Sequence, residues 1–142
     1  MSSKKMMQLI PAKIKGYYPD GDAKSVLTKL GTISYSLCER NFVSGNKSIK
    51  ILLFDFNDAP IMYNQAMRKW SDESRIETDT LVFRPIAMKN CTGWESYRHR
   101  NKDSQILLGI CNRFFLNISG TNVDLEVLQH VLLQFPLDKF PK

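Results

Sequence analysis

A chain of 142 residues with 43% hydrophobic and 24% charged side chains has the make-up of an ordinary globular domain, long enough to bury a core without metal or disulfide staples. Seven Gly and six Pro exclude a collagen-like or low-complexity chain, and no apolar run approaches the roughly 18 to 20 residues of a membrane-spanning helix. The formal charge of +6 is unevenly spread: residues 1–29 hold six lysines against Asp20 and Asp22, a net of +4, which leaves residues 30–142 at only +2.

Residues 1–29 show no clean period, and Gly16–Asp22 is turn-rich, so they read as a basic, partly ordered N-terminal segment ahead of a single domain over residues 30–142. A segment of one sign either attracts anionic partners through forces that salt screens or serves as a solvated leader. Lys4 and Lys5 resemble the start of an export signal, but Pro11, Lys13 and Lys15 interrupt any apolar stretch. As written, the chain reads as cytoplasmic, and as periplasmic or envelope-associated if an export signal has been removed.

In Gly31–Phe42, Ile33, Tyr35 and Leu37 alternate with Ser34, Ser36 and Cys38, the period of a half-buried strand. Ser44-Gly45-Asn46 supplies a hairpin turn, and the returning strand Ser48–Asn57 is apolar enough for a central position. Asp58 is placed to cap a helix with Pro60 in its first turn, and Tyr63, Met67 and Trp70 form an apolar stripe along it. A polar link, Ser71–Asp79, leads to three strands. Thr80–Met88 contains Pro85 and so predicts a bulge or an edge; Trp94–Arg100 has one wet face; Gln105–Cys111 is almost wholly apolar. Asn90–Gly93 and Asn101–Asp103 are short turns, and Asn112-Arg113 turns the chain into Phe114–Ser119. Thr121 or Asn122 caps a last helix with Leu125, Leu128, Val131 and Leu132 inward, Phe135-Pro136 ends it, and Leu137 and Phe140 dock the tail.

The order β-β-α-β-β-β-β-α predicts an α+β fold: a single antiparallel sheet of about six strands, with two helices covering one face. Trp70, Phe54, Leu108, Leu116, Leu128 and Leu132 are the expected core.

Cys38, Cys91 and Cys111 are widely spaced and odd in number, which is neither a disulfide framework nor a zinc site and favours a reducing compartment. Cys38 and Cys111 fall in strands and read as buried; Cys91 falls in a polar turn and reads as exposed. No phosphate-binding loop, dinucleotide fingerprint, nucleophile elbow or zinc-protease helix is present, and no metal or cofactor is expected. His99, between Arg98 and Arg100, and His130, off the stripe of the last helix, offer no evident catalytic pairing. Asp58 aside, the carboxylates Asp55, Asp72, Glu73, Glu77 and Asp79 read as solvated loop charges.

The stretch Gly93-Trp94-Glu-Ser-Tyr97, an apolar strand, Asn112-Arg113-Phe114, a strand ending at Gly120, and Val123-Asp124-Leu125 opening a helix resembles the C-terminal half of small bacterial envelope proteins. The order of hairpin, helix and meander is similar to the PsbP-like fold, shared by a photosystem II extrinsic subunit, a Ran-binding import factor and bacterial lipoproteins. That resemblance covers about residues 30–135 and implies a fold used for binding and scaffolding rather than a chemistry.

The most pointed constellation is Trp94, Tyr97, Arg98, Arg100 and Lys102, with Arg113 further on. Arg98 and Arg100, two apart on a strand, would share a sheet face beside aromatics, an arrangement able to hold phosphates and stack bases; the plainer reading is a solvated polar face. The expectation is therefore a non-enzymatic binding or adaptor domain that engages a protein or envelope component. Weak nucleic-acid or anionic-surface binding through the basic strand and N-terminal segment is the alternative.

Overall fold

The computed structural model describes residues 1–71 and 76–142, and the side chains of residues 1–68 and 77–142. The elements are α1 (Ser3–Gln8), β1 (Tyr18–Pro19), β2 (Lys24–Leu30), β3 (Ile33–Ser44), β4 (Lys47–Asp58), α2 (Pro60–Ser71), β5 (Ile76–Glu77), β6 (Leu81–Met88), β7 (Cys91–Arg98), β8 (Asp103–Ile110), β9 (Phe114–Thr121) and α3 (Leu125–Leu133), followed by a 3-10 turn, Leu137–Lys139. They form one α+β unit around a nine-stranded sheet of order β1-β3-β4-β9-β8-β7-β6-β5, with β2 beside β1 along β3. Among the described residues every strand pairing is antiparallel.

Two meanders build this sheet, β2-β3-β4 and β5 to β9, and they join where β4 pairs with β9 from Ser48↔Thr121 to Asp55↔Phe114. The six strands expected from alternation are β3, β4 and β6 to β9. The others are the two-residue β1 and β5 and the seven-residue β2, which spans the expected boundary at residue 30 and ties the basic N-terminal segment into the sheet. Among the described residues no helix is long and apolar enough to cross a membrane.

Directly paired residues of antiparallel strands project to the same side, so the register sorts the side chains into two faces. One face carries Ile49, Ile51 and Leu53 of β4, Leu116 and Ile118 of β9, and Ile106, Leu108 and Ile110 of β8. Met6 of α1, Leu128, Val131 and Leu132 of α3, and Phe140 of the tail seal it from water. Phe140 meets Phe114 edge-on, with ring centroids 5.1 Å apart.

The opposite face carries Phe54 and Phe56 of β4, Phe115 of β9 and Leu107 of β8, and Tyr63, Ala66 and Met67 of α2 lie over it. The two expected helices therefore lie on opposite faces, not on one. The cause is the sequence of β8 and β9: Ile106-Leu107-Leu108 and Phe114-Phe115-Leu116 are apolar at every position, and a strand buried on both sides needs cover on both. Gly109 makes room for α2, because a Cβ there would run into the Tyr63 hydroxyl and would lie 2.7 Å from the Met67 sulfur. Of the expected core, Leu108, Leu116, Leu128 and Leu132 are buried; Phe54 is half-buried beneath α2, and the Trp70 side chain lies outside the described residues.

Several local readings shift by a residue or two. Pro60 opens α2 and Ala59 stands before it, while the Asp58 carboxylate accepts from the Asn57 side-chain amide. Asp124, not Thr121 or Asn122, precedes α3, and it makes no side-chain capping bond. The tight turn between β8 and β9 is Cys111-Asn112, both at positive φ (54° and 53°), closed by the Arg113 N–H donating to the Ile110 carbonyl at 3.1 Å. Pro85 lies on a stretch of β6 that pairs with β7 without a register shift, so no bulge marks it; among the described residues β5 pairs with Val82 and Phe83 of β6.

Candidate binding surface

The structure separates the basic and aromatic residues singled out by sequence. Trp94 pairs with Leu107, on the α2 side of the sheet, whereas Tyr97 pairs with Ser104 and faces α3. The Tyr97 hydroxyl donates to Asp124 at 3.2 Å; burial and this carboxylate push the phenol above its ordinary range. β7 ends at Arg98, so Arg100 and Lys102 belong to the turn His99–Lys102, and Arg98 and Arg100 do not share a sheet face. All three cations are exposed at this turn, and the His99 ring stands edge-on to Tyr97 with centroids 4.9 Å apart. Arg113 is at the other end of β8, about 25 Å away at the usual rise of a strand.

Arg113 has a structural partner instead. Its Nε donates to Asp55 Oδ1 at 2.7 Å and its Nη2 to Oδ2 at 2.8 Å, a bidentate pair where the β4–β9 pairing ends, with Asp55 only 5% exposed. The Asn57 backbone N–H donates to Oδ1 at 3.0 Å, and the Met1 amine lies 3.3 Å from Oδ2. Burial alone would raise the Asp55 carboxyl; the Arg113 hydrogen bonds, the Asn57 N–H and the neighbouring positive charge outweigh it and hold the group below its ordinary value. The guanidinium also lies 4.8 Å over the Phe114 ring. Asp55 is therefore not a solvated loop charge but half of a buried ion pair that fixes the β4–β9 junction. Asp72 and Glu73 lie outside the described residues, and Glu77 reaches Arg84 at 3.8 Å.

The cysteines change places relative to expectation. Asn90 takes positive φ, so β7 begins at Cys91 and turns that side chain into the core, where burial pushes its thiol up and away from nucleophilic use. Cys111, in the tight turn, is only half-buried, and Cys38 is buried as expected. His130 is exposed on α3, 4.0 Å from Glu126. Among the described residues no three His, Cys, Asp or Glu side chains are grouped so as to hold a metal ion.

The feature that sequence reasoning missed is the outer edge of the sheet. β2 pairs with β3 through seven residues, Lys24↔Glu39 to Leu30↔Ile33, and no described strand pairs with its other side. Val26, Leu27 and Leu30 are 53%, 57% and 60% exposed, so apolar groups protrude from both faces of this strand, with Lys24 and Lys29 as its only charges. Long, apolar, unpaired edges are normally blunted, because their free N–H and C=O groups template pairing with another chain. Compared with known protein families, curated proteins and solved structures, the chain matches no family model, no curated protein and no solved structure.

Proposed function

We propose that this chain is a non-enzymatic binding or adaptor domain on a PsbP-like scaffold, and that it engages a protein, an envelope component in the setting the resemblance implies, along β2. The reading rests above all on the exposed apolar edge. An extended segment of a partner adding to β2 would satisfy its outward backbone groups and cover Val26, Leu27 and Leu30. Lys24 and Lys29, with no carboxylate between them, favour a segment flanked by acidic residues. The PsbP-like label rests on the order of hairpin, helix and four-stranded meander, which the antiparallel sheet accommodates. The division of Trp94, Tyr97 and Arg113 among two faces and two ends of the sheet weighs against the alternative of a stacking nucleic-acid surface.

The test is site-specific photo-crosslinking in the native host, with the reactive group at Leu27 and, as control, at Leu133, which is 77% exposed on α3. A discrete protein adduct from position 27, attached through an extended segment and lost when Val26→Asp is added, is the expected result. Adducts indistinguishable from those at position 133 would remove the proposal.

A further inference from the structure

Three described cations are partly withdrawn from water: Arg40, Arg84 and Arg113. Arg84 has Glu95 at 3.1 Å, and Arg113 has Asp55. Among the described residues the Arg40 side chain has neither ion pair nor hydrogen bond; its Nε, like that of Arg84, is buried without a hydrogen-bond partner, but Arg84 has a carboxylate beside it and Arg40 has none. A half-buried guanidinium with no counter-ion beside it is costly unless an anion comes to it. Arg40, paired with Ile51, is placed by β3 on the sheet face beneath α1, where it lines a cleft of about 720 Å³. Lys4 adds a second positive charge to the lining, and no carboxylate does. Met7, Pro11, Ala12, Ala23 and Pro136 belong to the larger, apolar share of the wall, beside the neutral polar groups of Ser3, Gln8, Ser25 and Gln134. The volume falls within the range of small-molecule sites, and apolar walls with a few convergent polar groups are their usual composition.

We propose that this cleft binds an aliphatic carboxylate of the fatty-acid class, its carboxylate on Arg40 and its chain along the wall formed by Met7, Pro11 and Ala23. Planar guanidinium and carboxylate match through two parallel hydrogen bonds, which also explains an arginine here rather than another lysine. Ser25 of β2 lines the cleft, so the site borders the strand proposed for docking; Arg40 lies on β3, and its substitution tests the cleft without altering the outer edge.

The test is calorimetric titration of the full chain with three probes: decanoate, decanol and inorganic phosphate. Saturable one-to-one binding of decanoate is expected, with decanol and phosphate each weaker by on the order of 10-fold or more, because each lacks one of the two recognition elements. Arg40→Gln should weaken decanoate binding on the order of 10- to 100-fold, and Arg40→Lys by less. Arg40→Gln removes an unpaired cation rather than a paired one, so the ligand-free melting temperature should not fall. Ala23→Tyr, which fills the cleft from its rim, gives an independent loss of binding. Absence of saturable decanoate binding, equal affinity for decanol or phosphate, or undiminished affinity in Arg40→Gln would each overturn the assignment.

Discussion

Replacing Arg113 with alanine should be among the most destabilising single changes outside the apolar core. Two hydrogen bonds of 2.7 and 2.8 Å hold a carboxylate that is only 5% exposed. Without the guanidinium, Asp55 keeps one backbone N–H and the Met1 amine, neither able to replace a bidentate partner. Breaking a buried pair from one side typically costs about 3 to 5 kcal/mol, because the other charge is left desolvated. Asp55→Asn should cost less, about 1 to 3 kcal/mol, since Arg113, on the more exposed side of the pair, can still reach water. The double variant should fall short of the sum of the singles, with a coupling on the order of 0.5 to 3 kcal/mol. Urea unfolding at constant m-value measures all three.

The same pair sets an acid limb. Asp55 is held below its ordinary value in the folded chain, so its contribution is complete above the unfolded carboxyl value of about 4 and is lost as pH falls through the lower folded value. Arg113→Ala takes away the main influence that lowers the carboxyl, leaving only the Asn57 N–H and the Met1 amine against burial, so acid unfolding should begin at higher pH than in the parent. A loss under about 1 kcal/mol, or an unmoved acid limb, would refute the view that this pair locks the β4–β9 junction.

Gly109→Ala should destabilise by about 1 to 3 kcal/mol in thermal melts, because the new methyl meets the Tyr63 hydroxyl and Met67 and pushes α2 off the sheet. Leu128→Ala, at a fully buried position of α3, should cost about 2 to 5 kcal/mol, and an unchanged melting temperature would contradict the placement of that helix. In native protein a thiol reagent should label Cys111 first and reach Cys91 and Cys38 only on unfolding; mass spectrometry of the labelled peptides decides this. Arg98→Glu with Arg100→Glu should leave stability within about 0.5 kcal/mol of the parent, since both side chains are exposed at the turn.

What the sequence discloses follows what water has to be kept from. Ile33, Tyr35 and Leu37 alternate because they share one half-buried side of β3, where Ile33 and Tyr35 pack with the cluster around Phe56, and the α3 leucines recur at helical spacing because one stripe is buried. β2 leaves no such trace: it is exposed on both faces, so Val26 and Leu27 stand side by side without a period. α1 is only six residues long, too short for a stripe to repeat. Periodicity also cannot say which face of a sheet a helix covers, and here the all-apolar runs of β8 and β9 held the answer, because they require burial on both sides. Two errors came from turn boundaries. Asn90 at positive φ starts β7 early enough to bury Cys91, and the chain leaves β7 at Arg98, which places Arg100 in the turn. Asp55 was legible in principle as a lone carboxylate inside the apolar run Ile51–Phe56, but its partner is 58 residues away and no local pattern joins them.

The proposal depends on β2 presenting a free edge, and amide hydrogen exchange on the dilute protein reads that edge directly. Alternate amides of Lys24–Leu30, those not turned toward β3, should exchange nearly as fast as in an open chain, while the amides of β4 and β9 at the sheet centre stay protected. Uniform protection along Lys24–Leu30 would mean that the edge is already covered and would contradict the docking role assigned to it.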